Sequence, residues 1–519
     1  MTARKAQVNG AWLAFVGSVL VLVALLVLWI WDPTTLWSSK DTTQEPLMVY
    51  CAAGIRKPVA EIAQKYEQEF GVPIRLQYDG SQKLLNSITQ VDKGDLYIPG
   101  DTSYLHKARK SKLVREIIPL ATMTPVLAVP KGNPKGIASL ADVFAKELRI
   151  VQANPKAAAV GKVTRETFLE SGDWEAFQKR VVTDKFTVNE VANDIVVGTA
   201  DAGVVWDVTV RQYPKLEAVA LAPFEGKSAN VAVGILTCGK QQTRALHFAR
   251  YLAARDVGLP IFKTHGFAIV EGDQWADKPE LLLLAGAMLR PAIQNTLKEF
   301  QDREGVKITT VYNGCGILVA QMKSGEQRAD AYFACDQSFM DQVQDMFLDA
   351  KTISGNQLVI LVPKGNPKKI TSLDDLGQPG LKVGVGHEKQ CAMGALTQQT
   401  LRQGRVRDHV MKNVKVQKPT GDMLVADLLT GSLDAVIAYV SNGASASDRL
   451  DAVAIYIPCA FAKQPIAINK QSKNKHLVER LVETILTEES RKRFLAYGFT
   501  WKATQDVTSD PSRSTELVP

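Results

Sequence analysis

The residues best able to do chemistry are sulfur-bearing and unevenly placed. Of six cysteines in the 519-residue chain, four (Cys315, Cys335, Cys391 and Cys459) lie in the C-terminal half. Cys315, Cys335 and Cys391 stand where apolar strands should end, and His387 lies close to the last of them. Thiolates, thioethers and an imidazole are the donor set of a soft metal such as Cu(I), or of Zn(II) where Cys and His dominate. No C-x-x-C pair occurs. Three readings therefore stay open: a soft-metal or thiol-reactive site, a disulfide joining Cys315 to Cys335 or Cys391, and plain core packing. Cys51 and Cys238 sit in apolar strand contexts and read as inert packing residues. No Ser/His/Asp, Cys/His/Asn or paired-carboxylate constellation repeats along the chain, which argues against an enzyme. Asp101 and Asp336 occupy matching positions, but each reads as a helix cap.

The elements that position these residues come from a duplication. Pro130-Lys-Gly-Asn-Pro-Lys135 recurs as Pro363-Lys-Gly-Asn-Pro-Lys368, each preceded by an apolar strand and followed by a helix start, Ser139-Leu-Ala-Asp142 and Ser372-Leu-Asp-Asp375. Tyr78-Asp-Gly-Ser81 matches Tyr312-Asn-Gly-Cys315, and Gly266-Phe267 matches Gly498-Phe499, all offset by 232–235 residues. Within a copy the order is strand, helix, strand, helix. Leu47–Cys51 is a short apolar strand, the next segment puts Val59, Ile62, Ala63, Tyr66 and Phe70 on one helical face, Gly71 ends that helix, and Pro73–Tyr78 is the second strand. The second copy repeats the plan through Ile293, Leu297, Phe300 and Gly305. Such alternation predicts an α/β fold with largely parallel sheets, whose ligands sit beyond the carboxyl ends of the strands.

Composition bounds the rest. Hydrophobic residues at 46%, charged residues at 22% and a net charge of +8 are ordinary for a globular chain and give no indication of nucleic-acid binding. The exception is Ala11 to Trp31, a run without a charged residue. As a helix it is long enough to span a bilayer, and Arg4 and Lys5 before it place the N-terminus in the cytoplasm. A cleaved signal peptide is the competing reading; the length, two late tryptophans and missing A-x-A site favour an uncleaved single-pass anchor. The expected division is residues 1–10 cytoplasmic, 11–31 transmembrane, 32–46 a polar tether, 47–268 a first domain, 269–279 a linker, 280–500 a second domain and 501–519 a disordered tail.

Several segments carry a family likeness. Val49-Tyr-Cys-Ala-Ala-Gly-Ile55 leading into a helix, Phe70-Gly-Val72, Tyr78-Asp-Gly-Ser81, Asp201-Ala-Gly-Val-Val-Trp206 and Phe262-Lys-Thr-His-Gly-Phe267 mark the first copy. Leu284-Ala-Gly-Ala-Met-Leu289, Ala329 to Asp336, Asp434 to Tyr439 and Phe494 to Phe499 mark the second. In order and spacing they resemble the periplasmic solute-binding proteins of the molybdate-binding type (type 2 periplasmic binding proteins), here in tandem. The resemblance implies two bilobed clamps on the periplasmic side of a bacterial cytoplasmic membrane. Each would close on a small oxyanion for an ABC-type importer. The chain has no G-x-x-x-x-G-K-[ST] loop, so the permease and ATPase would be separate proteins. The family binds a tetrahedral oxyanion with hydroxyls and helix-start N–H groups. Carried over, its contact positions are Gly54, Ser81, Val160, Val188 and Trp206 in the first copy, with Gly54 replacing the usual Ser and Trp206 the usual Tyr. Ser81 keeps the hydroxyl; it also suits a turn-forming serine. Lys156 is either a compensating charge or a solvated loop lysine.

In the second copy the same positions are Met288, Cys315, Met393, Gly421 and Tyr439. With Cys335, His387 and Cys391 they make a soft-metal set in place of an oxyanion site. Crossing segments between lobes are expected near Met123–Val129 with Ala218–Pro223, and near Gln357–Val362 with Ala452–Pro458. Two other functions stay in view: a sensor or structural module that has left transport, and a transferase-like enzyme.

Overall fold

A computed structural model describes residues 45–326 and 328–502 of the chain. The expected membrane span at 11–31, nearly all of the tether and the tail from 503 lie outside them. Among the described residues no helix is long and apolar enough to cross a membrane.

The first copy opens with the strand Leu47–Ala52, then the helix Arg56–Phe70 and the strand Ile74–Asp79. The helix buries Val59, Ile62, Ala63 and Tyr66 on one side and stops at Gly71, whose φ of 66° costs a glycine little. The second copy repeats this with Glu280–Gly286, Arg290–Glu304 and Lys307–Asn313, ending its helix at Gly305 with φ 67°. Each copy divides into a proximal lobe, where the chain enters and leaves, and a distal lobe. In the first copy Leu47–Ala52 runs parallel to Ile74–Asp79 and to Leu96–Ile98, while the returning strand Ala229–Leu236 is antiparallel. The distal lobe is a separate sheet with Ile150–Ala153 parallel to Val181–Lys185 and Ala202–Trp206.

The copies differ where the chain first crosses between lobes. In the second, one strand of 13 residues, Lys351–Pro363, runs through both lobes and fuses their sheets into a single ten-stranded sheet. In the first, the equivalent path breaks at Thr124, between Val114–Met123 and Pro125–Pro130. Pro125 has no N–H to give to a ladder, and the second copy has Leu358 in its place. Pairing is otherwise kept, Pro125 opposite Trp206 and Leu358 opposite Tyr439. The return crossings run from Val219 to Ala229 and from Ala454 to Phe461, as the sequence predicts.

Residues 269–279, expected as a linker, are packed. Trp275 stacks edge-on against Phe70, His247 and Tyr251 of the first copy. Asp273 accepts the N–H groups of His476 and Leu477, capping the helix Lys475–Ile485 of the second. Beside this seam Glu304, 1% exposed, is held by Arg250 of the first copy and by two bonds of 2.7 and 3.0 Å from Arg480 of the second. Arg303 adds a two-pronged pair to Glu116 at 2.6 and 2.7 Å. All these groups belong to proximal lobes or to the segment joining them. The two clamps are thus joined through their proximal lobes. At the C-terminal end Trp501 pairs with Ser354, so ordered structure runs past the expected boundary at 500.

Candidate functional site

In each copy the strand ends and helix starts of both lobes meet at one small cavity. The first is lined by the turn Ala53–Ile55, by Asp79, Gly80, Ser81 and Gly100 of the proximal lobe, and by Ala158, Ala159, Val160, Thr187, Val188 and Trp206 of the distal lobe. Helices start there at Arg56, Ser81, Ala159 and Val188. The first N–H groups of a helix have no intrahelical acceptor, so this convergence makes an electropositive floor without a cationic side chain.

Of the first-copy residues singled out from sequence, Gly54, Ser81, Val160, Val188 and Trp206 all line the cavity. Ser81 is the first residue of the helix Ser81–Val91 and not a turn residue. Its Oγ accepts the Gly100 N–H at 3.0 Å, which leaves its own proton to donate. Asp79 is neutralised by Lys83 at 2.7 Å. Gly54 and Trp206 are complementary: a Cβ on Gly54 would stand 3.0 Å from Val188 Cγ1 and 3.4 Å from Trp206 Cδ1, so the lost side chain makes room for the larger indole. Lys156 does not reach the cavity. It is exposed in a tight turn where its N–H bonds Asn154 Oδ1, because the chain must turn there before the helix Ala159–Ser171. A cation that joins the lobes beside the cavity was missed: Lys162, one turn into that helix, lies 3.7 Å from Asp101 and 2.6 Å from Ser103 Oγ. Only the pairing across lobes reveals it. Asp101 and Asp336 do cap helices, each accepting the N–H two residues on at 3.0 Å.

The lobes touch through backbone. Gln82 N–H bonds Ala157 O across the cleft at 2.9 Å, and in the second copy Gly316 N–H bonds Gln390 O at 3.1 Å. Gly80 and Gly314 sit at these crossings. A Cβ on Gly80 would lie 2.5 Å from Phe186 O and 2.7 Å from Ala157 O, and one on Gly314 would lie 2.4 Å from both Gln390 O and Pro419 O. Both cavities measure about 20 Å³, room for about one water. A larger solute enters only when the lobes part.

The second cavity is lined by Ala287, Met288, Asn313 and Cys335 of the proximal lobe, and by Cys391, Met393, Thr420, Gly421, Tyr439 and Asn442 of the distal lobe. Here the bulk sits on the other side: Met288 stands where the first copy has Gly54, and Gly421 where it has Val188. Cys315 repeats Ser81, its Sγ accepting the Cys335 N–H at 3.1 Å as Ser81 accepts Gly100. Burial pushes the Cys315 thiol up, but hydrogen bonds from the Cys335 thiol and N–H, with the Tyr332 hydroxyl beside it, bring it below the ordinary thiol value. The Cys335 thiol is pushed up by that same bond and by burial. Cys391 is pushed up to about 12, chiefly by burial.

The soft-metal cage expected from Met288, Cys315, Cys335, His387, Cys391 and Met393 does not assemble. Cys315 lies fully buried behind Cys335, and His387 is off the cavity with its Nδ1 accepting the Lys389 N–H. Among the described residues no three His, Cys, Asp or Glu side chains converge to hold a metal ion. The alternative of a disulfide is also corrected, since all six cysteines are free thiols. Cys51, fully buried, is inert, its thiol pushed far up by burial.

The family model described as bacterial extracellular solute-binding protein matches residues 47–268 and again 281–500. A putative binding protein of Haemophilus influenzae is 29% identical over 226 residues, which are 43% of this chain and 90% of that one. The molybdate-binding protein ModA of Mycobacterium bovis is 26% identical over 225 residues, 43% of this chain and 84% of that one. Among solved structures, the periplasmic molybdate-binding protein of Azotobacter vinelandii aligns at 15% identity over 43% of this chain and 99% of that chain, with a TM-score of 0.38. Each matched segment contains one complete bilobed clamp with its own cavity, and on that match the chain belongs to the bacterial extracellular solute-binding proteins, carrying the family's domain twice.

Proposed function

We propose that the first clamp captures a small tetrahedral oxyanion of the molybdate or tungstate kind and delivers it to an ABC-type importer. Permease and ATPase are separate proteins, and residues 11–31 tether the clamps to the outer face of the bacterial cytoplasmic membrane. The observation that carries this reading is Ser81: a buried hydroxyl with its proton free to donate, at a helix start, in a cavity where three other helices begin. Such a floor favours an anion and needs no counter-charge. Capture, not turnover, is the work of this family, and a ligand held by donors on both lobes shifts the clamp toward closure.

The test is calorimetric titration of the full chain with molybdate, tungstate, sulfate and phosphate, with and without Ser81→Ala. A hydrogen bond to a charged group contributes about 1.5–3 kcal/mol, so the variant should bind about 10- to 150-fold more weakly. Absence of heat with every oxyanion would sink the proposal.

A further inference from the structure

The second cavity differs in chemistry from the first. Its proximal wall carries the Cys335 thiol, with the Cys315 sulfur buried directly behind it and accepting the Cys335 N–H at 3.1 Å. Both sulfurs crowd Gly286: a Cβ there would lie 2.1 Å from Cys335 Sγ and 3.2 Å from Cys315 Sγ, so the strand end has glycine where the sulfurs need the space. A third thiol, Cys391, faces them from the distal lobe together with Met393. The Tyr439 hydroxyl, on a residue 1% exposed that lines the same cavity as Cys335 and Cys391, has no hydrogen-bond partner among the described residues. Thr420 and the start of the helix Gly421–Leu429 complete the oxygen-binding side. The charged groups around the cavity are Asp336, Asp422 and Arg290, an acidic balance that disfavours an anion.

We propose that the second clamp binds a neutral trivalent metalloid hydroxide, of which arsenous acid is the type, chelated by Cys315 and Cys335. The centre is thiophilic, which the sulfurs satisfy, and it retains a hydroxyl, which Tyr439 and Thr420 satisfy. Two metalloid–oxygen bonds break and two metalloid–sulfur bonds form. The two thiol protons leave with the two displaced hydroxides as two waters, and the metalloid stays trivalent throughout. The adduct carries no charge, whereas a monovalent metal held by two thiolates would leave a buried negative charge beside Asp336 and Asp422. Cys335, the thiol that lines the cavity, bonds first, and Cys315 directly behind it closes the chelate. Contacts from Cys391 and Tyr439 on the distal lobe hold the clamp shut. The assignment is independent of what the first clamp binds.

The reduced full chain, titrated with arsenite and followed by native mass spectrometry, should gain one metalloid hydroxide less two waters per chain. Cys315→Ser and Cys335→Ser should each lose the adduct, and Cys459→Ser, which removes a thiol outside the cavity, should keep it. In wild type alone, a small 1,2-dithiol should strip the adduct while excess monothiol leaves it. No adduct, an adduct surviving either serine variant, stripping by monothiol, or preferential capture of Cu(I) in direct competition would each overturn the proposal. Oxyanion titration of the first clamp is unaffected by any of these results.

Discussion

Replacing Gly80 by alanine asks whether each clamp closes through its glycine. The added Cβ would meet Phe186 O at 2.5 Å and Ala157 O at 2.7 Å, where relaxed C···O contacts run at about 3.3 Å or more. Relief needs the distal lobe to withdraw by about 0.8 Å at that point. The Ala157 carbonyl cannot rotate away, because it already accepts Gln82 N–H. The backbone of Gly80, at φ −67° and ψ 146°, suits any residue, so the effect is purely steric. Overpacking of this kind costs about 1–3 kcal/mol, and only the form with the lobes in contact bears it. At about 1.4 kcal/mol per decade, the closed population falls about 5- to 150-fold, and the apparent Kd of any solute that requires closure rises by the same factor. Gly314→Ala should do the same to the second clamp. Spin labels carried by unnatural amino acids at Lys107 and Lys179, exposed on opposite lobes of the first clamp, would report a longer distance in Gly80→Ala and none in Gly314→Ala. An unchanged distance distribution in Gly80→Ala, with unchanged affinity, would refute the argument.

The seam and its titration give two further expectations. Glu304→Gln leaves Arg250 and Arg480 facing each other with their shared carboxylate gone; losing one member of a buried ionic cluster costs about 3–5 kcal/mol, and calorimetry should show a lower melting temperature, whereas an unchanged one would mean the seam is held elsewhere. His476 has its pKa raised, chiefly by the Glu479 carboxylate. Its stabilisation is complete below the unfolded value of about 6.5 and is lost as pH rises through the raised folded value. Wild type should therefore lose stability relative to His476→Gln across that window, and parallel melting curves would contradict this. His247, whose pKa burial lowers, contributes the opposite slope on the acid side and is the same in both proteins.

What the sequence by itself determined is what depends on local order. The duplication, the strand–helix alternation, the helices ending at Gly71 and Gly305 and the crossing segments were all legible, because caps, periodicity and repeat spacing act over a few residues. So were the cavity positions carried by the repeat and the family likeness, from Gly54 and Ser81 to Met288 and Tyr439. Tertiary structure alone decided which of the chemically able residues meet. Lys156 and Lys162 are six residues apart, yet only the second reaches the other lobe. His387 and Cys391 are close in sequence, yet only the second lines the cavity. Gly80 and Gly314 look like turn glycines until the opposite lobe brings carbonyls against them, and residues 269–279 look like a linker until Glu304 and its two arginines fix the clamps beside it. The reason is physical: a contact between lobes depends on how two separately folded sheets are hinged, and no spacing along one strand encodes that distance.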